Sequence, residues 1–447
     1  MKKIFVFLTL SLITTWVSAQ NRYDSLWSDP AVEQRIQQGI ETNRKGDASI
    51  TVVSKKGKLP KNTKIEITQL THEFQFGSNI FMLNGYQKPE QNKRYEEVFK
   101  SLFNTACVPF YWKTLEPEPG NLRYEASSKE IYRRPPPDPV LEFCEQNGIT
   151  PKGHTLVWDN VKHSTPDWLP RDTAVIQQKI NDRIKQLGER YGERVKTWDV
   201  VNELLSYHSN AIQMPDNYGF KAFQQFSNSF PKTTRGFINE TTSIWSNYHR
   251  EYSPYNVLIE NMQLKGAKID GIGLQFHFFS ETLHHDVVAG KSITPKTVFD
   301  VLDLYGKYNV PVHISEITIP TLPYNETGLQ NQAKMTRNFY RAWFSHQAVE
   351  AIIWWNVSDG TAVAGEDKWR GGFLNEDMSA KPSYYALNDL INKEWKTSVS
   401  QNVESNNPVI FRGFYGDYSV KITVGKQIVE KKFSVKKDQK NILSIDI

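Results

Sequence analysis

From residue 74 onward the chain repeats one alternation: a short apolar run, a longer segment with helical spacing, then another apolar run. The apolar runs fall at residues 74–80, 103–109, 151–158, 197–203, 234–240, 270–278, 310–319 and 351–359. Short, largely apolar runs of this kind suit strands buried on both faces of a parallel sheet. The segments between them carry helix signals. Residues 174–191 place apolar side chains at nearly every third or fourth position and stop at Gly192. Residues 294–308 open on Thr294-Pro295, a cap followed by a first-turn proline. Residues 328–346 and 381–395 continue the series. Eight strands alternating with helices predict an α/β chain folded as a (β/α)8 TIM barrel over residues 74–397. A doubly wound sheet is the competing architecture, but no glycine-rich phosphate loop follows the first run.

Both flanks depart from the alternation. Residues 48–70 read as strand, turn, strand, with Lys56-Gly57-Lys58 as the turn, inside an N-terminal β segment spanning 20–73. Residues 409–447 read likewise, inside a C-terminal β segment spanning 398–447, with the polar stretch 398–407 as a linker. Neither flank has enough strands to bury a core alone, so the two are expected to pack together as one small accessory β-sandwich. The proline run 133–139 (RRPPPDP) reads as a rigid lead-in to the next helix.

Residues 1–19 combine a basic start, an apolar stretch and a small-residue cleavage site, which predicts a signal peptide and a secreted or periplasmic protein without a membrane anchor. A net charge of +5 spread over 447 residues, with no Lys/Arg block, argues against a nucleic-acid partner. Aromatic residues make up 13% of the chain, which suits either a large core or flat faces for sugar rings. Cys107 and Cys144 each sit in an apolar run and are expected as buried free thiols. No His, Cys or carboxylate cluster has metal-ligand spacing, so neither metal nor cofactor is expected; His284-His285-Asp286 reads as an exposed loop.

In such a barrel, chemistry sits at the C-terminal ends of the strands. The fourth run ends Trp198-Asp199-Val200-Val201-Asn202-Glu203, and the seventh carries His313-Ile314-Ser315-Glu316 near its end. A carboxylate directly after a buried apolar run is costly unless it is used or paired, so each Glu is either catalytic or a satisfied structural group. Around these two lie Trp112-Lys113-Thr114-Leu115-Glu116-Pro117, Gly153-His154-Thr155-Leu156-Val157-Trp158, Asp270-Gly271-Ile272-Gly273-Leu274-Gln275-Phe276-His277, the IIWWNVSD run with Trp355, and Lys368-Trp369-Arg370. Together these stretches resemble glycoside hydrolase family 10, the family of endo-β-1,4-xylanases, from about residue 74 to 395.

The resemblance implies a retaining glycosidase acting on xylan or a related plant cell-wall polysaccharide, with Glu203 as acid/base and Glu316 as nucleophile. It further implies that Asn202, Gln275 and His154 hold sugar hydroxyls, that His277 orients Glu316, and that Trp158, Trp355 and Trp369 wall the cleft. The alternatives are a retaining β-glycosidase of other specificity and a non-catalytic glycan-binding protein. Four departures from the family pattern bear on specificity. The Glu-Asn-x-x-Lys residues that precede the tryptophan in most members are replaced by Val108-Pro109-Phe110-Tyr111, a segment about two residues shorter. Asp159 follows Trp158 where a histidine is usual, Thr318 stands where a carboxylate often pairs with the orienting histidine, and Glu240-Thr241 replaces the usual Asp-Tyr. The catalytic pair is intact, so the expectation is a conserved reaction on an altered glycan.

Overall fold

The computed structural model describes residues 22–54, 57–206 and 213–447; the expected signal peptide and Lys56 of the expected turn lie outside them. Two strands precede the barrel, β1 (Lys45–Val53) and β2 (Lys64–Gln69). The barrel strands are β3 (Gln75–Asn79), β4 (Thr105–Pro109), β5 (Thr150–Val157) and β6 (Thr197–Asn202), followed by β7 (Arg235–Glu240), β8 (Gly271–His277), β9 (Val312–Thr318) and β10 (Val349–Trp354). After it come β11 (Ser398–Asn402), β12 (Val409–Phe414), β13 (Gly416–Val424), β14 (Gln427–Val435) and β15 (Asn441–Asp446).

Strands β3 to β10 follow one another around a closed parallel barrel, with β10 pairing both β9 and β3. Every expected apolar run contributes one strand. Strands β4, β6 and β9 are buried at every position, as a sheet covered on both faces requires. The eighth strand begins earlier than expected, at Val349, and ends at Trp354, which leaves Trp355 at the start of a loop. The helices have the anticipated physical causes. Asp172 caps Thr173–Tyr191 by accepting from the Ala174 and Val175 amides, and Ile176, Ile180, Ile184, Leu187 and Tyr191 form its buried stripe.

The flanks build two sheets, ordered β12-β1-β15 and β11-β2-β13-β14. Their shared core is a period-two pattern: Ile50 and Val52 of β1, Ile65 and Ile67 of β2, and Tyr418, Val420 and Ile422 of β13 all point inward. Strands β1 and β2, adjacent in the chain, lie in different sheets and do not pair as a hairpin.

Three expectations need correction. Residues 30–44, inside the expected N-terminal β segment, form the helix Pro30–Arg44. Asp29 caps it, Pro30 takes the first turn, and Ile36 and Ile40, four apart, are buried; Glu33 pairs with Arg341 and Asn43 donates to the Ser345 carbonyl of the helix Glu326–Ser345. The stretch 398–407 is no mere linker, because Ser398–Asn402 pairs antiparallel with β2. His284-His285-Asp286 lies in the helix Glu281–Val288, where the Ser280 cap turns His284 and Val287 inward. Cys107 and Cys144 are free and buried. Among the described residues, no helix is long and apolar enough to cross a membrane.

Candidate active site

Strand β6 runs buried to Asn202, and the chain then bends: Glu203 takes a left-handed backbone (φ 56°), with its amide donating to the Asn239 carbonyl at 2.9 Å. A side chain in that conformation costs about 1 kcal/mol, a strain of the kind that clusters at functional positions. Glu316 lies within β9 and is only 4% exposed.

Gln275, on β8 between them, ties the two carboxylates together. Its Nε2 donates to Glu203 Oε1 at 3.1 Å and to Glu316 Oε1 at 3.0 Å. Those two oxygens are therefore no further apart than both bonds laid end to end, about 6 Å, a closeness compatible with the ~5–5.5 Å carboxyl separation of retaining pairs. Asn239 of β7 adds a second donor, from Nδ2 to Glu316 Oε1 at 2.8 Å, while its Oδ1 accepts from Ser315 Oγ at 2.5 Å. Asn239 Nδ2 and Gln275 Nε2 also reach Asn202 Oδ1, at 2.8 and 3.3 Å. The Asn202 amide nitrogen makes no hydrogen bond among the described residues.

His277 Nε2 lies 3.3 Å from Glu316 Oε2, and its Nδ1 lies 2.9 Å from Thr318 Oγ1. Burial pushes the His277 imidazole down to about 4, against the pull of Glu366 and Glu203, so the ring is neutral near pH 7. An ionised Glu316 can only accept, which favours the proton on Nε2 facing it, and the Thr318 hydroxyl, able to donate or accept, then donates to Nδ1. The absent family carboxylate is thus replaced by a neutral hydroxyl at the same histidine. His154 Nδ1 is bonded to Asp199 at 2.9 Å, and its Nε2 stands 4.0 Å from Glu316. Burial alone would raise the Asp199 carboxyl, but Lys152 at 2.9 Å and His154 hold it below its usual range.

Burial pushes the Glu316 carboxyl up to about 8; the charges of Glu203 and Asp199 act the same way, and His154 and Asn239 oppose them. Glu240, buried at the end of β7, is also pushed up to about 8, mainly by burial, with Glu203 adding to it and the Leu205 amide opposing. The Glu203–Glu316 pair is close enough to titrate as a unit, so its protons belong to the pair rather than to one member.

These groups line a pocket of about 330 Å³ at the C-terminal mouth of the barrel. Of the residues anticipated from sequence, His154, Trp158, Asn202, Glu203, Gln275, His277, Glu316 and Trp355 line it together. Trp355 turns its edge to His154 (5.5 Å) and His277 (5.9 Å). Trp369 does not reach the pocket. It is buried one layer back, 6.3 Å from Phe279, and Phe279 supplies the wall.

Tyr111, one of the residues that replace the usual polar glycone group, lines the pocket as well, and sequence reasoning missed Arg133, Arg134 and Glu366, which also line it. Phe110 and Tyr111 diverge at the end of β4. Phe110 packs against Trp198 (4.6 Å) in the core, whereas Tyr111 faces His154 (5.3 Å) in the pocket. Lys113 pairs with Asp167 at 2.7 Å, and it is not a lining residue. Among the described residues, no group of three His, Cys, Asp or Glu side chains could hold a metal ion.

A family model for glycosyl hydrolase family 10 matches residues 67–390. The chain is 24% identical over 401 residues to the anti-sigma-I factor RsgI6 of Acetivibrio thermocellus, covering 89% of this chain and 47% of that protein. It is 26% identical over 350 residues to endo-1,4-beta-xylanase B of Thermotoga neapolitana, covering 72% and 89%. It spans less than half the length of RsgI6 and of several plant relatives that it matches. Native xylanase 10B of Thermotoga maritima shares the fold, with a TM-score of 0.57 at 24% identity over 72% of this chain and 96% of that one. With the family pattern extending through all eight barrel strands, the chain belongs to glycosyl hydrolase family 10.

Proposed function

We propose that this protein is a retaining β-glycosidase that cleaves β-1,4 linkages in xylan or a related plant β-glycan by double displacement. The observation that carries the reading is the Gln275 bridge, which holds a Glu203 and a Glu316 oxygen within about 6 Å of each other. Glu316 attacks the anomeric carbon and forms a glycosyl ester, while Glu203 protonates the departing oxygen. Asn239, Gln275 and His277 direct donors at Glu316 and favour its ionised form against the burial that opposes it. Once the ester forms, the Glu316 charge is gone. Glu203 then loses a proton more readily and activates the water that releases the sugar. Asn202, with its amide nitrogen uncommitted, is placed to hold a hydroxyl of the reacting sugar, and Trp158 and Trp355 supply apolar faces.

The glycone side differs from the family pattern, because Tyr111 stands in the pocket where polar residues are usual. The substrate is accordingly a decorated xylan or another β-glycan rather than plain linear xylan. A panel of polysaccharides and aryl β-glycosides, with Glu316→Ala as control, tests both parts. The reading predicts turnover of at least one β-glycan that Glu316→Ala abolishes. Turnover that survives in Glu316→Ala overturns the catalytic assignment, and full activity on unsubstituted xylo-oligosaccharides overturns the altered specificity.

A further inference from the structure

The proposed chemistry makes no use of two charged groups in the pocket, Arg133 and Arg134. They precede the helix Pro137–Gln146 and turn inward, 3% and 9% exposed. Arg133 holds a left-handed backbone (φ 59°) that residues with a side chain rarely adopt. The segment is pinned to the loop after β10, where Tyr132 Oη donates to the Thr361 carbonyl at 3.1 Å and Arg133 Nη1 donates to the same oxygen.

Guanidinium groups buried this deeply need partners. Three other arginines have them and do not line this pocket. Arg44 reaches the carbonyls of Phe344, His346 and Val349; Arg123 those of Thr114, Lys129 and Arg134; and Arg183 those of Phe110, Thr155 and Leu156. Among the described residues, Arg133 donates only to Thr361, and its buried Nε has no partner. Among the same residues, Arg134 donates only to the Arg133 carbonyl. Neither forms an ion pair among the described residues. Aromatic rings orient them: the Arg134 guanidinium lies 4.0 Å from the Tyr111 ring and 5.2 Å from Phe81, and that of Arg133 lies 5.5 Å from Phe81. Glu366 faces the same space, and its buried Oε2 is also without a partner among the described residues; one carboxylate stands against two guanidiniums.

Glu203 follows β6, and in an eight-strand ring β6 lies opposite β10, the strand whose loop anchors Arg133. The acid/base residue marks the leaving-group side, so the arginines face the sugar on the other side of the scissile bond. We propose that Arg133 and Arg134 form a carboxylate-binding subsite, and that the glycan cleaved here carries a uronic acid on its glycone side. The inference rests on the glycosidase reading above and names its substrate class. The planar guanidinium fork matches a carboxylate in shape and charge. A neutral sugar could accept the same N–H groups but would leave two adjacent buried cations facing the single carboxylate of Glu366. Glu366 is placed to accept a hydroxyl of the same sugar.

The test uses acidic oligosaccharides from glucuronoxylan and the same oligosaccharides after reduction of each carboxyl to hydroxymethyl. Calorimetry on the Glu316→Gln protein measures binding without turnover. The acidic form is expected to bind at least about tenfold more tightly than its reduced counterpart, in keeping with charge-assisted bonds to a paired carboxylate. Adding Arg134→Gln should bring the ratio near one, and Arg134→Lys should restore part of it. Equal affinities, binding of neither form, or a preference that survives Gln at both arginines overturns the inference. Comparing the two ligands in one protein keeps the result independent of whether a variant folds well. Turnover of the reduced form by the unmodified protein, lost in Glu316→Gln, would leave the glycosidase reading standing while the uronate subsite fell.

Discussion

At the scale of single residues, the site depends on a carboxylate that the fold makes hard to ionise. Burial pushes the Glu316 carboxyl up to about 8, so the folded state keeps a proton on the Glu203–Glu316 pair beyond the ordinary carboxylate range. Its contribution to stability is then fully present below the ordinary carboxylate range and is lost as the pH rises through about 8. Glutamine keeps the shape and cannot ionise. Melting curves should therefore show Glu316→Gln close to the parent at pH 5 and more stable at pH 9, by roughly 2 °C or more. A difference that shrinks with rising pH would contradict this. Thr318 gives a second residue-scale prediction. Its hydroxyl bonds the far nitrogen of His277 and holds the ring towards Glu316, so Thr318→Val should lower kcat by about five- to tenfold, the worth of one hydrogen bond, with KM little changed. Steady-state kinetics on any turned-over glycan checks it.

At the scale of elements, strand register brings the site groups together. Gly273 on β8 pairs with Asn239 on β7, and a Cβ at Gly273 would stand 2.1 Å from Asn239 Oδ1. Gly273→Ala should displace Asn239 from Glu316 and lower kcat/KM by at least about tenfold, with helix and strand content unchanged by circular dichroism. The eight strands were legible in the sequence because a doubly buried strand is a bounded apolar run, and the ends of the fourth and seventh runs displayed Glu203 and Glu316 directly. The loops were not legible in the same way. Phe110 and Tyr111 are adjacent aromatics, and only the turn at the end of β4 decides which enters the pocket. Arg133 and Arg134 read as part of a proline-rich lead-in, since a contact with Thr361, more than two hundred residues away, leaves no local pattern. Trp369 shows the converse. Its motif suggested a cleft wall, but it is buried beside Phe279, and Phe279 is the one of the two that lines the pocket.

At the scale of the whole molecule, both ends of the chain are needed for one small core. Residues 398–447 supply five of the seven sandwich strands, and β1 and β2 supply the other two. Removing 398–447 would expose Ile50, Val52, Ile65 and Ile67, each worth about 1.5–3 kcal/mol when buried, on two strands left without sheet partners. The truncated protein should aggregate or lose most of its soluble yield in size-exclusion chromatography, and a soluble monomer with an unchanged melting temperature would contradict the shared core. The helix Pro30–Arg44 joins this module to the barrel, with Arg44 bonded to three carbonyls near the β10 end of the barrel. The proposed reaction turns on the distance between the two glutamates, and stereochemistry reports that distance. Proton NMR of a β-glycan during the first minutes of hydrolysis should show the new reducing end appearing as the β-anomer, with the α-anomer following only by mutarotation. First appearance of the α-anomer would mean inversion and would contradict the carboxylate pair on which the account is built.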